Sequence, residues 1–220
     1  CVLDPPAVAN ALQEAAEAGI AIVQYAGRES AQQFGGVSIA IEDADLGWAA
    51  GEYAGQLIAE ELGGEAVVAI LDYPDLPNVV IRADNIEAAL LEAAPGATVV
   101  GRYLGGTADF GLTSMESALQ AHPDINVVVS INDAGAYGAV QALEAAGKGP
   151  DEVIVVGIDA EAQALQYLQD GYYFRGTVST APDANGLLAA NAVVKLLAGA
   201  DAPANVRVPI ELITAETLNP

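Results

Sequence analysis

Polar side chains follow the apolar segments of this sequence at the points where several of those segments end. The residues in these positions are Glu42, Asp43, Asp72, Tyr73, Asn132, Asp133, Asp159 and Thr180. Amide and carboxylate groups gathered at one edge of a sheet could donate to and accept from the hydroxyls of a small polar ligand. Asp and Asn are also favoured N-caps of the helix that follows a strand. For Asp43 and Asp133 we favour the capping interpretation.

The elements that position these residues can be predicted from the spacing of the apolar residues. Runs rich in β-branched residues predict strands, and apolar residues three to four positions apart predict helices. The predicted strands are residues 20–23, 37–41, 66–71, 98–104, 126–131, 153–158, 176–180 and 206–213, and the predicted helices are residues 7–18, 46–62, 78–93, 112–121, 134–146, 160–169 and 185–197. This alternation is typical of βαβ units, so we predict an α/β fold with doubly wound parallel sheets. Such folds bind ligands beyond the carboxyl ends of their strands.

Composition and charge exclude several classes of protein. Thirty acidic residues against seven basic ones give the 220-residue chain a formal charge of −23, which would repel a nucleic-acid backbone. No apolar run reaches the ~18 residues of a membrane span. The single cysteine, Cys1, allows no disulfide within the chain. We interpret Cys1 as a core strand residue exposed by truncation rather than as the lipid-modified residue of a lipoprotein.

Motifs of catalysis and of metal binding are missing from the sequence. It contains no nucleophile elbow, no phosphate-binding glycine loop and no dinucleotide fingerprint. The single histidine, His122, precedes a proline at a predicted helix end, where capping explains it. The acidic run at residues 42–45 does not have the spacing of a calcium-binding loop. We therefore predict that the chain is not an enzyme and holds neither a metal nor a cofactor.

Several short motifs occur in an order that resembles one protein family. They are Leu3-Asp4-Pro5, Glu17-Ala18-Gly19-Ile20, Gln120-Ala121-His122-Pro123-Asp124-Ile125, Ser130-Ile131-Asn132-Asp133, the stretch 139–148, Val155-Val156-Gly157-Ile158-Asp159, and Gly176-Thr177-Val178 with Pro182. The sequence is similar to the type I periplasmic binding proteins that deliver sugars to ABC importers, the ribose- and galactose-binding kind. The resemblance extends over essentially the whole chain.

The resemblance implies a two-lobed architecture. The N-terminal lobe would comprise residues 1–43 and 182–205, and the C-terminal lobe residues 44–181 and 206–220. Family members begin with a further strand–helix–strand–helix segment, so we expect the first lobe to be incomplete in this chain. We accordingly expect this 220-residue piece to bind sugar weakly or not at all by itself, and the full-length protein to bind it.

The resemblance also implies five ligand-binding residues in a cleft between the lobes. Arg82 matches the arginine that donates to sugar hydroxyls. Asn132 and Asp159 match the pocket asparagine and aspartate, and for these two residues we favour ligand binding over capping. Phe110 resembles a pocket aromatic residue, and Thr180 stands where a glutamine is common. Carboxylate, amide, guanidinium and aromatic groups together suit the hydroxyls and the apolar face of a sugar.

One departure from the family pattern leaves the ligand open. An Asp-Arg pair is common after the strand that corresponds to residues 21–24. Here Arg28 stands one position later than the family arginine, and the aspartate is missing. A solvated loop arginine is the simpler interpretation of Arg28, with replacement of the usual pair as the alternative.

The function implied by the resemblance is capture of a small ligand, a sugar, for delivery to an ABC importer. The expected partner is the transporter permease, and the expected form is a monomer. The expected location is periplasmic or extracellular, and attachment to a lipid anchor through a missing N-terminus is one form that this location could take. The alternative function is the effector-binding core of a lactose-repressor-like regulator, which has the same core but needs a DNA-binding helix pair upstream.

Overall fold

The computed structural model describes residues 8–25 and 29–218 of the chain. Cys1 and Arg28, which the sequence singled out, lie outside the described residues. The chain forms two compact units. The first unit comprises Cys1–Glu42 and Thr180–Ile210, and the second comprises Asp43–Ser179 and Glu211–Pro220.

The described residues form strands that alternate with helices. The strands are β1 (Val23–Gln24), β2 (Val37–Ala40), β3 (Val67–Asp72), β4 (Thr98–Leu104), β5 (Val127–Ser130), β6 (Ile154–Asp159), β7 (Phe174–Ser179), β8 (Asn205–Arg207) and β9 (Glu211–Thr214). The helices are α1 (Ala9–Glu17), α2 (Asp43–Glu61), α3 (Pro77–Ala93), α4 (Ala108–Ala121), α5 (Asp133–Ala145), α6 (Ala162–Asp170), α7 (Pro182–Leu197) and α8 (Ala215–Leu218), with a 3₁₀ turn at Glu29–Phe34.

The second unit contains the larger sheet. Over the described residues its strand order is β4-β3-β5-β6-β7-β9, and all neighbouring pairs are parallel except β7 with β9. The central strands are apolar and buried, as expected for a sheet covered on both faces. Because β3, β5 and β6 run in parallel, their carboxyl ends meet at one edge of the sheet, and the polar residues that follow them meet there too.

The first unit contains a smaller parallel sheet. Its described strands have the order β1-β2-β8. Its buried core consists of Val37, Ile39, Ala192 and Val208. This core joins β2 to α7 and to the segment that follows β8.

The prediction of a single last strand at residues 206–213 is wrong. β8 pairs with β2 in the first unit, and β9 pairs with β7 in the second, antiparallel to it. Pro209 lies between them and has no N–H to donate to a ladder, which separates the two strands. Residues 206–210 therefore belong with the first unit rather than with the C-terminal lobe, and the second sheet is not wholly parallel.

Close helix packing sets the position of the helix that carries Arg82. A Cβ atom on Gly47 of α2 would overlap the backbone carbonyl of Arg82 on α3, so only glycine allows this approach. α4 begins at Ala108 rather than at the predicted residue 112, because the Thr107 side chain caps it by accepting from the Phe110 N–H at 3.3 Å. Within the described ranges, no helix is both long enough and apolar enough to cross a lipid bilayer.

Candidate functional site

A pocket of about 330 Å³ lies within the second unit, at the edge where the parallel strands end. It brings together three of the five residues that the resemblance singled out: Arg82, Asn132 and Asp159. The remaining lining residues are Tyr73, Leu76, Val79, Gly106, Thr107 and Ile131. Its size is in the range of small-molecule sites, and its lining combines apolar side chains with a few polar groups.

Arg82 is held in a fixed position by two partners. Its Nε and Nη2 donate to Asp43 Oδ1 at 3.1 and 2.8 Å, and its Nη1 donates to the Ile131 carbonyl at 2.6 Å. The two ion-pair side chains are only 14% and 15% exposed. These bonds use three of the five N–H groups of the guanidinium, so further donors are left for a ligand. Such a fork is pre-organised, since its rotamer is fixed before the ligand arrives.

Asn132 both lines the pocket and caps α5. Its Oδ1 accepts from the Gly135 N–H at 2.9 Å, and its Nδ2 donates to the Gly106 carbonyl at 3.0 Å. The interpretation of Asp133 as the cap of this helix is therefore wrong. The carboxylate of Asp43, the other predicted cap, accepts the two bonds from Arg82. The hydrogen bond by which Asn132 caps α5 also fixes the orientation in which its side chain lines the pocket.

Asp159 has an unusual backbone and an unusual carboxyl group. Its φ is +122°, and that of the next residue, Ala160, is +55°. Burial raises the pKa of Asp159 to about 6, against the lowering effect of Arg82, and the charges of Glu161 and Asp43 add to the rise. No hydrogen bond to this carboxylate is found within the described part of the chain, so its oxygens are available to a ligand.

Asp133 lies behind the pocket rather than in it. The residue is fully buried. Its Oδ2 accepts from the Glu161 N–H at 2.9 Å, and its Oδ1 accepts from the Thr177 hydroxyl at 2.8 Å. Burial raises the pKa of Asp133 to about 7, and these two hydrogen bonds act in the opposite direction. The carboxyl group therefore titrates near neutral pH.

The two remaining predicted residues do not line this pocket. Phe110 lies in the first turn of α4, is 40% exposed, and its ring centroid is 6.3 Å from that of Tyr73, which does line it. Thr180 belongs to the first unit, where its carbonyl accepts from Asn185 Nδ2 at 3.4 Å. Phe110 thus lies beside a pocket residue without lining the pocket, and Thr180 belongs to the other unit.

Two residues of the site were not among the five that the resemblance implied. Tyr73 follows β3 and stood among the polar residues at strand ends, but it was given no role in ligand binding. Asp43 was assigned only a capping role. Its ion pair with Arg82 joins positions 39 residues apart, and no local sequence pattern predicts such a pair.

The pocket offers both hydrogen-bond donors and acceptors. Arg82 and the Asn132 amide donate, the Asp159 carboxylate and the Asn132 carbonyl accept, and Tyr73 supplies an aromatic surface. Such a set suits a neutral ligand with several hydroxyl groups. Across residues 8–25 and 29–218, no group of three or more His, Cys, Asp or Glu side chains has the arrangement of a metal site.

Comparison with known proteins places the chain in a family. A family model described as the periplasmic binding protein domain matches residues 2–201. The ribose import binding protein of Bacillus subtilis (strain 168) is 37% identical over 112 residues, which are 49% of this chain and 35% of that protein. The matched segment therefore spans about a third of the length of this curated relative.

Solved structures are similar over nearly the whole chain. An ABC transporter periplasmic solute binding protein from Actinobacillus succinogenes 130z with bound D-allose is 26% identical, with a TM-score of 0.86 over 97% of this chain and 76% of that one. An ABC transporter solute binding protein from Bacillus halodurans C-125 with bound myo-inositol is 28% identical, with a TM-score of 0.81 over 98% of this chain and 73% of that one. Because the family model covers most of the sequence and these folds agree, the chain belongs to the periplasmic binding protein domain family.

Proposed function

We propose that the chain is the substrate-binding component of an ABC importer and captures a sugar or a similar polyol. The observation that carries this proposal is the shared pocket of Arg82, Asn132 and Asp159. A guanidinium, an amide and a carboxylate that converge beside an aromatic ring provide the contacts that a polyhydroxylated ring needs. The relatives bind ribose, D-allose and myo-inositol according to their descriptions, which is the same chemical class.

Each group has a separate role in the proposed complex. The Asp159 carboxylate accepts from two adjacent hydroxyls, and the free N–H groups of Arg82 donate to ring or hydroxyl oxygens. Asn132 has one N–H and one lone pair left beyond its two internal bonds, so it contacts one hydroxyl in either sense. Tyr73 and Phe110 flank the apolar face of the ring. Thr180 is proposed as a further contact from the resemblance alone.

The proposed activity is binding without a reaction. The ligand would be held by hydrogen bonds, with no nucleophile and no cofactor, and released to the permease of the importer. We place the protein in the periplasm or on the outside of the cell, as a monomer, with a lipid anchor as a variant. The matched relatives are binding proteins of importers, which favours this function over that of a repressor core.

Isothermal titration calorimetry tests the proposal. The 220-residue chain and the complete product of its gene are titrated with D-ribose, D-allose, other pentoses and hexoses, and myo-inositol. We expect at least one of these to bind the complete product. Arg82→Ala should then weaken binding about tenfold or more, since charge-assisted hydrogen bonds are lost.

Arg102→Ala is the matched control for this substitution. Arg102 is also ion-paired, to Asp84 and Glu87, but it does not line the pocket. We expect the control to bind with unchanged affinity. The absence of heat when every sugar and polyol is titrated into the complete product would refute the proposed function, and an equal loss in both variants would refute the placement of the site.

A further inference from the structure

The backbone at residues 159–161 adopts a conformation that its residues do not favour. Asp159 and Ala160 both have positive φ angles, +122° and +55°. Neither residue is a glycine, and side chains with a Cβ atom rarely occupy this region. Such strain persists only where the surrounding structure holds it. The turn also carries the carboxylate that faces the pocket, so whatever holds it determines where that carboxylate lies.

Hydrogen bonds from two other elements hold this turn. The Ala160 N–H donates to Thr177 Oγ1 at 3.1 Å, and the Thr177 hydroxyl in turn donates to Asp133 Oδ1 at 2.8 Å. The Glu161 N–H donates to Asp133 Oδ2 at 2.9 Å. Both backbone donors that follow Asp159 are therefore satisfied, one through Thr177 on β7 and one directly by Asp133 on α5.

A glycine in β6 leaves the space that the carboxylate of Asp133 occupies. A Cβ atom on Gly157 of β6 would overlap Asp133 Oδ1. Asp133 does not line the pocket, and the cap of α5 is supplied by its neighbour Asn132. Burial of a carboxylate is costly unless hydrogen bonds compensate it. The two hydrogen bonds that compensate the burial of Asp133 both lead to the turn, one directly and one through Thr177.

We propose that Asp133 and Thr177 are positioning residues that hold the 159–161 turn and thereby set Asp159 for ligand binding. This inference rests on the proposed function, because it assigns Asp159 a ligand. It goes beyond that function in naming residues that never touch the ligand. It also gives two neighbouring residues separate roles: Asn132 lines the pocket, and Asp133 bonds the turn that follows Asp159.

The first experiment needs no ligand. Amide hydrogen exchange of Ala160 and Glu161 is measured by NMR in the wild type, Thr177→Val and Thr177→Ser. Valine keeps the shape and removes the hydroxyl, whereas serine keeps the hydroxyl. We expect Thr177→Val to speed exchange at Ala160 about tenfold or more, and Thr177→Ser to restore protection. Wild-type protection in the valine variant would overturn the inference.

The second experiment measures sugar affinity by calorimetry, well below the melting temperature, so that loss of stability alone does not change it. Thr177→Val should weaken binding about tenfold, with rescue by Thr177→Ser. In an Asp159→Ala background the same change should have no further effect, because the hydroxyl acts through Asp159. Thr214→Val is the matched control: Thr214 is also buried, on the neighbouring strand β9, and its hydroxyl bonds Glu216 instead.

The outcomes separate this inference from the proposed function. Binding of sugar with equal affinity by the wild type and Thr177→Val overturns the positioning role alone. Additive losses from Thr177→Val and Asp159→Ala also overturn it. If no sugar binds the complete wild-type protein, the proposed function and the ligand part of this inference fail together. The exchange rate at Ala160 then still decides whether Thr177 holds the turn.

Discussion

The sheet of the second unit has six described strands and that of the first unit has three. In the larger sheet, residues such as Ile70, Val128 and Val156 have no exposed surface. In the smaller unit, helix α7 leaves Leu187, Val194 and Leu197 exposed at 64%, 65% and 76%. The two carboxyl groups with strongly raised pKa values are in the larger unit. A well-packed scaffold is what allows desolvated charge to persist.

The largest expected effect concerns packing. Ile70 on β3 and Ile39 on β2 are both 0% exposed, so Ile70→Ala and Ile39→Ala are a matched pair. Ile70→Ala should lower the free energy of unfolding of the second unit by about 2–5 kcal/mol. Ile39→Ala should lower the free energy of unfolding of the first unit by a smaller amount, because the smaller core collapses more readily around a cavity. Denaturant unfolding with hydrogen exchange to separate the units provides the measurement.

Leu197→Ala serves as the control for the packing pair. Its side chain is mostly exposed, so we expect a change within about 0.5 kcal/mol. If Ile39→Ala lowers the free energy of unfolding as much as Ile70→Ala or more, the two units do not differ in packing as described.

The next effect concerns ligand contacts. Asp159→Ala should weaken sugar binding about 100-fold, since two charge-assisted hydrogen bonds are lost. Thr180→Val in the first unit should weaken it by less than about tenfold, the equivalent of one neutral hydrogen bond. Calorimetry measures both, with the exposed Asp151→Ala as a control for loss of one acidic charge. A larger loss for Thr180→Val than for Asp159→Ala would reverse the comparison.

The smallest effect concerns pH. The pKa of Asp159 is raised to about 6, and the proposed ligand bonds the ionised form, which lowers this pKa in the complex. Binding below pH 6 therefore releases a proton, and affinity should fall by up to about tenfold per pH unit as the pH drops. Asp159→Asn should flatten this dependence. Asp133 also titrates in this region, at about pH 7, so a slope that persists in Asp159→Asn would assign the effect to Asp133 instead.

The parallel core was the most predictable part of the fold. The observed bounds of β3, β4, β5 and β6 lie within a residue or so of the predicted ones, because each is rich in β-branched and other apolar residues. Prediction failed where the local signal is ambiguous. The segment 206–213 is rich in apolar residues along its length, and only its partners in two different sheets divide it.

Three of the five residues predicted for the candidate site line one pocket, but the hydrogen bonds that connect them to the rest of the fold were not predictable. The resemblance placed Arg82, Asn132 and Asp159 together, and they share a pocket. Asn132 and Asp133 are equally good caps in sequence. Their roles differ because Asp133 accepts from the Thr177 hydroxyl and the Glu161 N–H, both far away in the chain, whereas Asn132 accepts from the Gly135 N–H. Hydrogen bonds between elements far apart in the chain leave no periodic trace in the sequence.

The path of the chain between β7 and β9 affects the order of events during synthesis. The second unit is interrupted by residues 180–210, which belong to the first unit. At a translation rate of roughly 5–20 residues per second, β9 emerges about two to six seconds after β7. During that interval the outer edge of β7 has unpaired N–H and C=O groups, the kind of edge that recruits strands from other chains. A nascent chain of this protein is therefore most prone to aggregate, or to recruit a chaperone, in the seconds before β9 arrives.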